Sequence, residues 1–138
     1  MIDINYKCKF VYLSHKPMRK KIFIVEDDVD LSDEIQLILK GEGYHTAAYP
    51  GKNSIKGVIL QMPDLVLVDN KLKDGLGSEL CSALKKHPLT SHVPVILISG
   101  CENLAGAALE CGADAYLNKP FEMDRLLETV DRHLNHLV

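Results

Sequence analysis

Three short stretches of the chain are apolar at every position: Ile22–Val25, Leu65–Val68 and Val95–Ile98. Alternating apolar and polar residues would mark a sheet with one wet face. Unbroken apolar runs of this length read instead as strands covered on both faces, the habit of parallel sheets. Two weaker candidates, His45–Tyr49 and Ala115–Asn118, complete a set of five. Between the strands the apolar period becomes helical. Leu31, Ile35, Ile38 and Leu39 share one face, as do Ile55, Val58 and Ile59, then Leu76, Leu80 and Leu84, then Leu104, Ala108 and Cys111. A last face carries Leu126, Leu127, Val130, Leu134 and Leu137. Asp30 or Ser32 is placed to cap the first helix, and the stretch from Gly41 to Gly43 to end it. The alternation predicts an α/β domain, (βα)5, over residues 20–138. Right-handed crossovers make it a doubly wound, five-stranded parallel sheet. Residues 1–19 lie outside the pattern and read as an N-terminal extension.

Composition narrows the class. A chain of 138 residues fits one domain with a core of its own. The net charge of −3 argues against direct nucleic-acid binding, which wants a basic face. No run is long and apolar enough to insert in a membrane. The longest apolar run in the first twenty residues, Phe10–Leu13, is too short for a signal peptide, so a cytoplasmic location is expected. Cys8, Cys81, Cys101 and Cys111 form no CxxC and no Cys/His metal spacing, so free thiols are expected. Cys81 and Cys111 fall at apolar helix positions and read as buried packing thiols.

In an open α/β sheet, ligands bind beyond the carboxyl ends of the strands. The first strand is followed by Glu26, Asp27 and Asp28, the third by Asp69, the fourth by Ser99 and the fifth by Lys119. Each is ordinary alone: a solvated turn, a strand terminus, a helix cap, a loop cation. Together they put several carboxylates, a hydroxyl and an ammonium on one sheet edge. Clustered carboxylates repel unless a cation shares the site. Mg2+ suits such oxygen donors, and a carboxylate is itself a nucleophile toward phosphorus. Lys119 and Ser99 would then meet charge on the phosphoryl oxygens.

The segments "IFIVEDD", "DLVLVDNKLKDGLG", "PVILISG" and "GADAYLNKPF" together resemble the receiver domain of two-component response regulators, over about residues 20–138. The resemblance implies a flavodoxin-like receiver fold with strand order 2-1-3-4-5, an order the family shares with a known doubly wound example. It matches Asp69 to the phosphoacceptor, Glu26 and Asp27 to the acidic pair with Asp27 the direct metal ligand, and the Lys71 main-chain carbonyl to a third protein ligand of Mg2+. Asp28 is not matched to a ligand. Ser99 matches the switch hydroxyl, Tyr116 the switch aromatic, Lys119 the phosphate-binding lysine, and Lys119–Pro120 a cis peptide. Gly77 matches the glycine ending the loop after the phosphoacceptor. Three features depart from the pattern or vary within it. Lys73 stands where proline is frequent, Lys71 and Cys101 sit at variable positions beside the phosphoryl site, and the segment from Ser99 to Lys119 is about two residues short.

The resemblance implies Mg2+-dependent phosphorylation of Asp69 by a sensor histidine kinase or histidine phosphotransfer protein, followed by altered affinity for a downstream protein target. It leaves room for a phosphorylation-dependent homodimer, and for a stand-alone regulator, a relay shuttle or an excised domain. No output domain is expected after the fifth helix. The alternative is a receiver-like interaction scaffold no longer regulated by phosphorylation. A phosphohydrolase with an Asp nucleophile is disfavoured, because its second acid would fall at Lys71. A nucleotide-binding flavodoxin-like protein would need a phosphate loop, and no P-loop or GxGxxG is present.

Overall fold

The computed structural model describes residues 19–51, 54–100 and 102–134. The extension expected over residues 1–19 therefore falls, Arg19 apart, outside the described residues, as do Cys8, Cys101 and Leu137. Five parallel strands form the sheet: β1 (Lys21–Val25), β2 (His45–Tyr49), β3 (Leu65–Asp69), β4 (Val95–Ser99) and β5 (Ala115–Asn118). Their order is β2-β1-β3-β4-β5, as the resemblance implied. The intervening helices are α1 (Val29–Gly41), α2 (Ile55–Gln61), α3 (Gly77–Lys86), α4 (Leu104–Cys111) and α5 (Met123–Leu134).

The continuous apolar runs have the meaning their pattern suggested. Every residue of β3 and β4 is buried. Odd and even positions serve two cores. Phe23, Val25, Val66, Val68, Val95 and Leu97 pack with Val58, Leu80, Leu84, Leu104 and Ala108 on the α2–α3–α4 side. Ile22, Ile24, Leu65, Leu67, Ile96, Ile98 and Leu117 pack with Ile35, Leu39, Leu126 and Val130 on the α1–α5 side. Each such side chain stabilises the fold by about 1.5–3 kcal/mol. Cys81 and Cys111 are buried free thiols in the first core, in line with expectation, and burial pushes the Cys81 thiol far up.

Helix ends differ from the sequence reading in two places. Neither Asp30 nor Ser32 caps α1. Asp28 does: its backbone is extended, its side chain accepts from the Leu31 N–H, and its carbonyl accepts from Ser32. The helix starts sooner after β1 than its apolar face suggests, because the first turn is polar and exposed. At the other end Gly41 is the last helical residue, and Gly43 adopts φ 96°, a conformation open to glycine. Leu76 is not on the α3 face. It precedes the helix, is 44% exposed, and pairs with Lys71 in a short antiparallel hairpin, Lys71–Leu72 against Gly75–Leu76.

Candidate functional site

The carboxyl ends of β1, β3, β4 and β5 deliver side chains to one edge. Directly after β1, Glu26 is buried at 4% exposure. Its Oε2 accepts from the Asp28 N–H at 3.1 Å, and Oε1 lies 3.4 Å from Lys119 Nζ. Burial raises its pKa to about 7. The Asp28 N–H and the Lys119 ammonium pull it down, while the Asp69 charge pushes it up. Asp27, half-buried, accepts from the main-chain N–H of Lys73 at 2.5 Å. Asp28 caps α1, its Oδ1 accepting from the Leu31 N–H at 3.2 Å.

Asp69 is the last residue of β3 and is 4% exposed. Its Oδ1 accepts from the Lys71 N–H at 3.0 Å, and its Oδ2 from Lys119 Nζ at 3.0 Å. Lys119 follows β5 and is held by its own N–H to the Ser99 carbonyl at 2.9 Å; its bond to Pro120 is cis. Burial pushes the Lys119 pKa down. The hydrogen bond and charge of Asp69, with Glu26 behind, more than reverse this, and the net shift is upward. Ser99 ends β4, one strand over from Asp69, and is 1% exposed.

One oxygen from each of Glu26, Asp27 and Asp69 lies within 4.8 Å of the others. These hard, gathered oxygens fit a small divalent cation, and Mg2+ is the cation that such a set with phosphate favours. Among the described residues, Lys119 pairs with two carboxylates of the cluster, Glu26 and Asp69.

Not every residue singled out by sequence joins the cluster. Tyr116 pairs with Leu97 in register, so it lies on the α4 side of the sheet, 42% exposed. The Lys71 side chain is exposed on the hairpin, while its N–H serves Asp69. Gly77 is where α3 passes closest to the strand end: a Cβ there would lie 2.2 Å from the Asp69 carbonyl oxygen.

Two contributors escaped the sequence reading. Asn70 is 5% exposed and holds the loop together: its N–H donates to Ile98, its carbonyl accepts from Gly77, and its Oδ1 accepts from the Ser78 N–H at 2.8 Å. An Asn between a strand end and a helix start is the only signal, and it is a common one. Lys73 contributes through its main chain, which no side-chain pattern reveals.

Comparisons with known proteins bear on the family and the fold. The family model for the response regulator receiver domain matches residues 22–131. The DNA-binding response regulator MtrA of Mycolicibacterium paratuberculosis is 33% identical over 120 residues, 85% of this chain and 52% of MtrA. The chain thus spans about half the length of that curated relative. A segment of histidine kinase P4 from Formosa agariphila is 36% identical over 107 residues, 76% of this chain but 8% of the kinase. Among solved structures, a signal receiver domain of a histidine kinase from Syntrophus aciditrophicus superposes with TM-score 0.79 at 30% identity, covering 86% of this chain and 92% of that one. A CheY-like receiver domain protein from Methanospirillum hungatei gives 0.78 at 32%, covering 86% and 95%. The strand order, the acidic edge and these matches converge: the chain belongs to the response regulator receiver family.

Proposed function

We propose that this chain is a phosphoryl-accepting switch, residues 20–138 forming the receiver unit, with Asp69 the phosphoacceptor. The observation that carries the reading is the Asp69 carboxylate, buried at a strand end, bonded to the Lys119 ammonium and gathered with Glu26 and Asp27. A carboxylate oxygen attacks the phosphorus of a phosphohistidine. The P–N bond breaks, its electron pair leaves on the imidazole nitrogen, and an acyl phosphate forms on Asp69. Lys119 meets the negative charge on the phosphoryl oxygens, and the Ser99 hydroxyl donates to one of them. Asp27, Asp69 and the Lys71 main-chain carbonyl would hold Mg2+, and Glu26 would support it through water. Bound there, Mg2+ supplies the positive charge that lets a dianionic group enter an acidic edge.

The donor is a sensor histidine kinase or a histidine phosphotransfer protein. Phosphorylation adds charge and strong acceptors beside Ser99. The Ser99 hydroxyl moves toward them, and the Tyr116 ring turns inward from its exposed position, changing what a downstream protein meets on the α4–β5 side. The chain promotes its own phosphoryl transfer and loss and does not turn over external esters. No described helix is long and apolar enough to cross a membrane. A cytoplasmic setting, where such kinases present their phosphohistidine, suits the reading.

The test is treatment with acetyl phosphate followed by mass measurement. One added phosphoryl group is expected on the wild type with Mg2+, none on Asp69→Ala, and little in excess chelator. Undiminished labelling of Asp69→Ala, or full labelling in chelator, would refute the reading.

A further inference from the structure

Helices α3 and α4 pack together over the first core, and each brings a cysteine to the contact. Cys81 lies in the middle of α3 with no exposed surface, and Cys111 is the last residue of α4, 8% exposed. Cys81 Sγ donates to the Cys111 carbonyl at 3.4 Å, and Cys111 Sγ to the Ala108 carbonyl at 3.6 Å. The two thiols also meet each other: burial is the first cause that pushes the Cys81 thiol up, and hydrogen bonding to the Cys111 thiol is the next. Both are free in this structure. A small apolar residue at either place would fill the same space, so packing alone does not call for two sulfurs in contact.

The sulfurs differ in access. Cys111 lines a cavity of about 520 Å3, open to solvent, whose walls also include Asn70, Ser78, Ser82 and Glu110. A polar space of that size admits water, and with it a solute of similar size and polarity. Cys81 is not among the walls of this cavity.

We infer that Cys81 and Cys111 form an oxidisable pair, which hydrogen peroxide entering the cavity converts to a disulfide tying the end of α4 to the middle of α3. Access sets the order of steps. The Cys111 sulfur, as thiolate, attacks one peroxide oxygen. The O–O bond breaks, the far oxygen leaves as hydroxide and takes a proton to become water, and Cys111 is left as a sulfenic acid. The Cys81 sulfur then attacks the Cys111 sulfur. The S–S bond forms, the S–O bond breaks, and the departing hydroxide takes the Cys81 proton as a second water. Two thiols have lost two electrons and two protons, and the peroxide has become two waters. Buried and protonated, Cys81 does not start the reaction. The thiols already touch, so closing the bond is a matter of side-chain rotation rather than of moving helices. A thiol reductant reaches the bond through the same cavity, at the Cys111 sulfur, and reverses the change.

The test uses the full chain carrying Cys8→Ser and Cys101→Ser, which leaves Cys81 and Cys111 as its only thiols. The folded protein is treated with hydrogen peroxide, its remaining thiols are alkylated in denaturant, and the intact mass is measured. Both thiols should be lost together, with a loss of two hydrogens per molecule, and dithiothreitol should restore them. The oxidised protein should unfold cooperatively at a higher denaturant midpoint, because the bond joins positions 30 apart and so restricts the unfolded chain. Amides of α4 should exchange more slowly than in the reduced form. Adding Cys111→Ser should leave Cys81 unoxidised over the same time. Adding Cys81→Ser should stop Cys111 at a sulfenic acid, captured as a single dimedone adduct. The intact pair carries the main test, so the outcome does not depend on how well these buried substitutions fold. Oxygen gained without a disulfide would overturn the inference, as would a bond between molecules in place of one within the chain. A lowered midpoint, the mark of a bond trapped in misfolded molecules, would do the same. Oxidation of Cys81 at an undiminished rate in Cys111→Ser would overturn the assigned order.

Discussion

Gly77 shows how little room the Asp69 strand end leaves. Its Cα faces the Asp69 carbonyl so closely that any side chain must displace main chain, which cannot swing aside as a flexible side chain can. Gly77→Ala should therefore destabilise the protein by about 3 kcal/mol, the upper end of the usual cost of overpacking. Denaturant unfolding should show a lower midpoint with an unchanged slope. A loss below about 1 kcal/mol would mean that α3 can slide away from β3 freely. At this scale the sequence was most legible where a polar residue ends an apolar run. Asp69, Ser99 and Glu26 stand out because burial of the preceding residues leaves the next one only the sheet edge. Asp28 was harder to read: three acids in a row offer several caps, and only backbone conformation chooses among them. The Lys73 N–H was illegible, since every residue but proline carries one.

Helix α3 begins without a side chain of its own to cap it: Leu76, just before it, cannot accept a hydrogen bond. Asn70 supplies the missing acceptor from the strand side, its Oδ1 bonded to the Ser78 N–H. Losing a capping side chain costs about 0.5–2 kcal/mol, and an N–H left dry at a nearly buried position costs toward the top of that range. Asn70→Ala should thus lose about 2 kcal/mol in chemical denaturation, while Asn70→Asp, which keeps the acceptor, should lose less. Equal losses in both would show that the Oδ1 bond does not hold α3 in place. The strands were readable as elements because two covered faces demand apolar residues at every position. The hairpin at residues 71–76 was not, because two residues per strand are too few to set a period. Leu76 misled for a related reason: it falls four residues before Leu80, and helical spacing alone cannot tell a first turn from the residue that precedes it.

For the molecule as a whole, the alternating pattern gave five parallel strands with helices on both faces. It did not give their order, which came from the resemblance, because spacing fixes neighbours in sequence and not in the sheet. The order matters for charge: it sets β1 between β2 and β3, and so brings Glu26 beside Asp69. Glu26 is 4% exposed, and its pKa rises from 4.5 to about 7, chiefly through burial. In the metal-free protein the folded state then holds a proton on Glu26 that the unfolded chain has already released across that interval. Stability linked to this group is fully present below pH 4.5 and is lost as pH rises through about 7. The whole span is worth at most about 3 kcal/mol, at 1.36 kcal/mol for each unit of difference. Glu26→Gln removes the titration while keeping the size and one of the two acceptor oxygens. In excess chelator, wild type should therefore lose ground to Glu26→Gln steadily between pH 4.5 and 7, and the gap should level off above pH 8. Mg2+ acts in the opposite sense: it binds the folded state and stabilises it by mass action. It does so better as Glu26 ionises, so the gain in melting temperature on adding Mg2+ should be larger at pH 8 than at pH 6. A stability gap between the two proteins that does not change with pH would show that Glu26 is already ionised in the metal-free fold, and that Lys119 suffices to hold the acidic edge together.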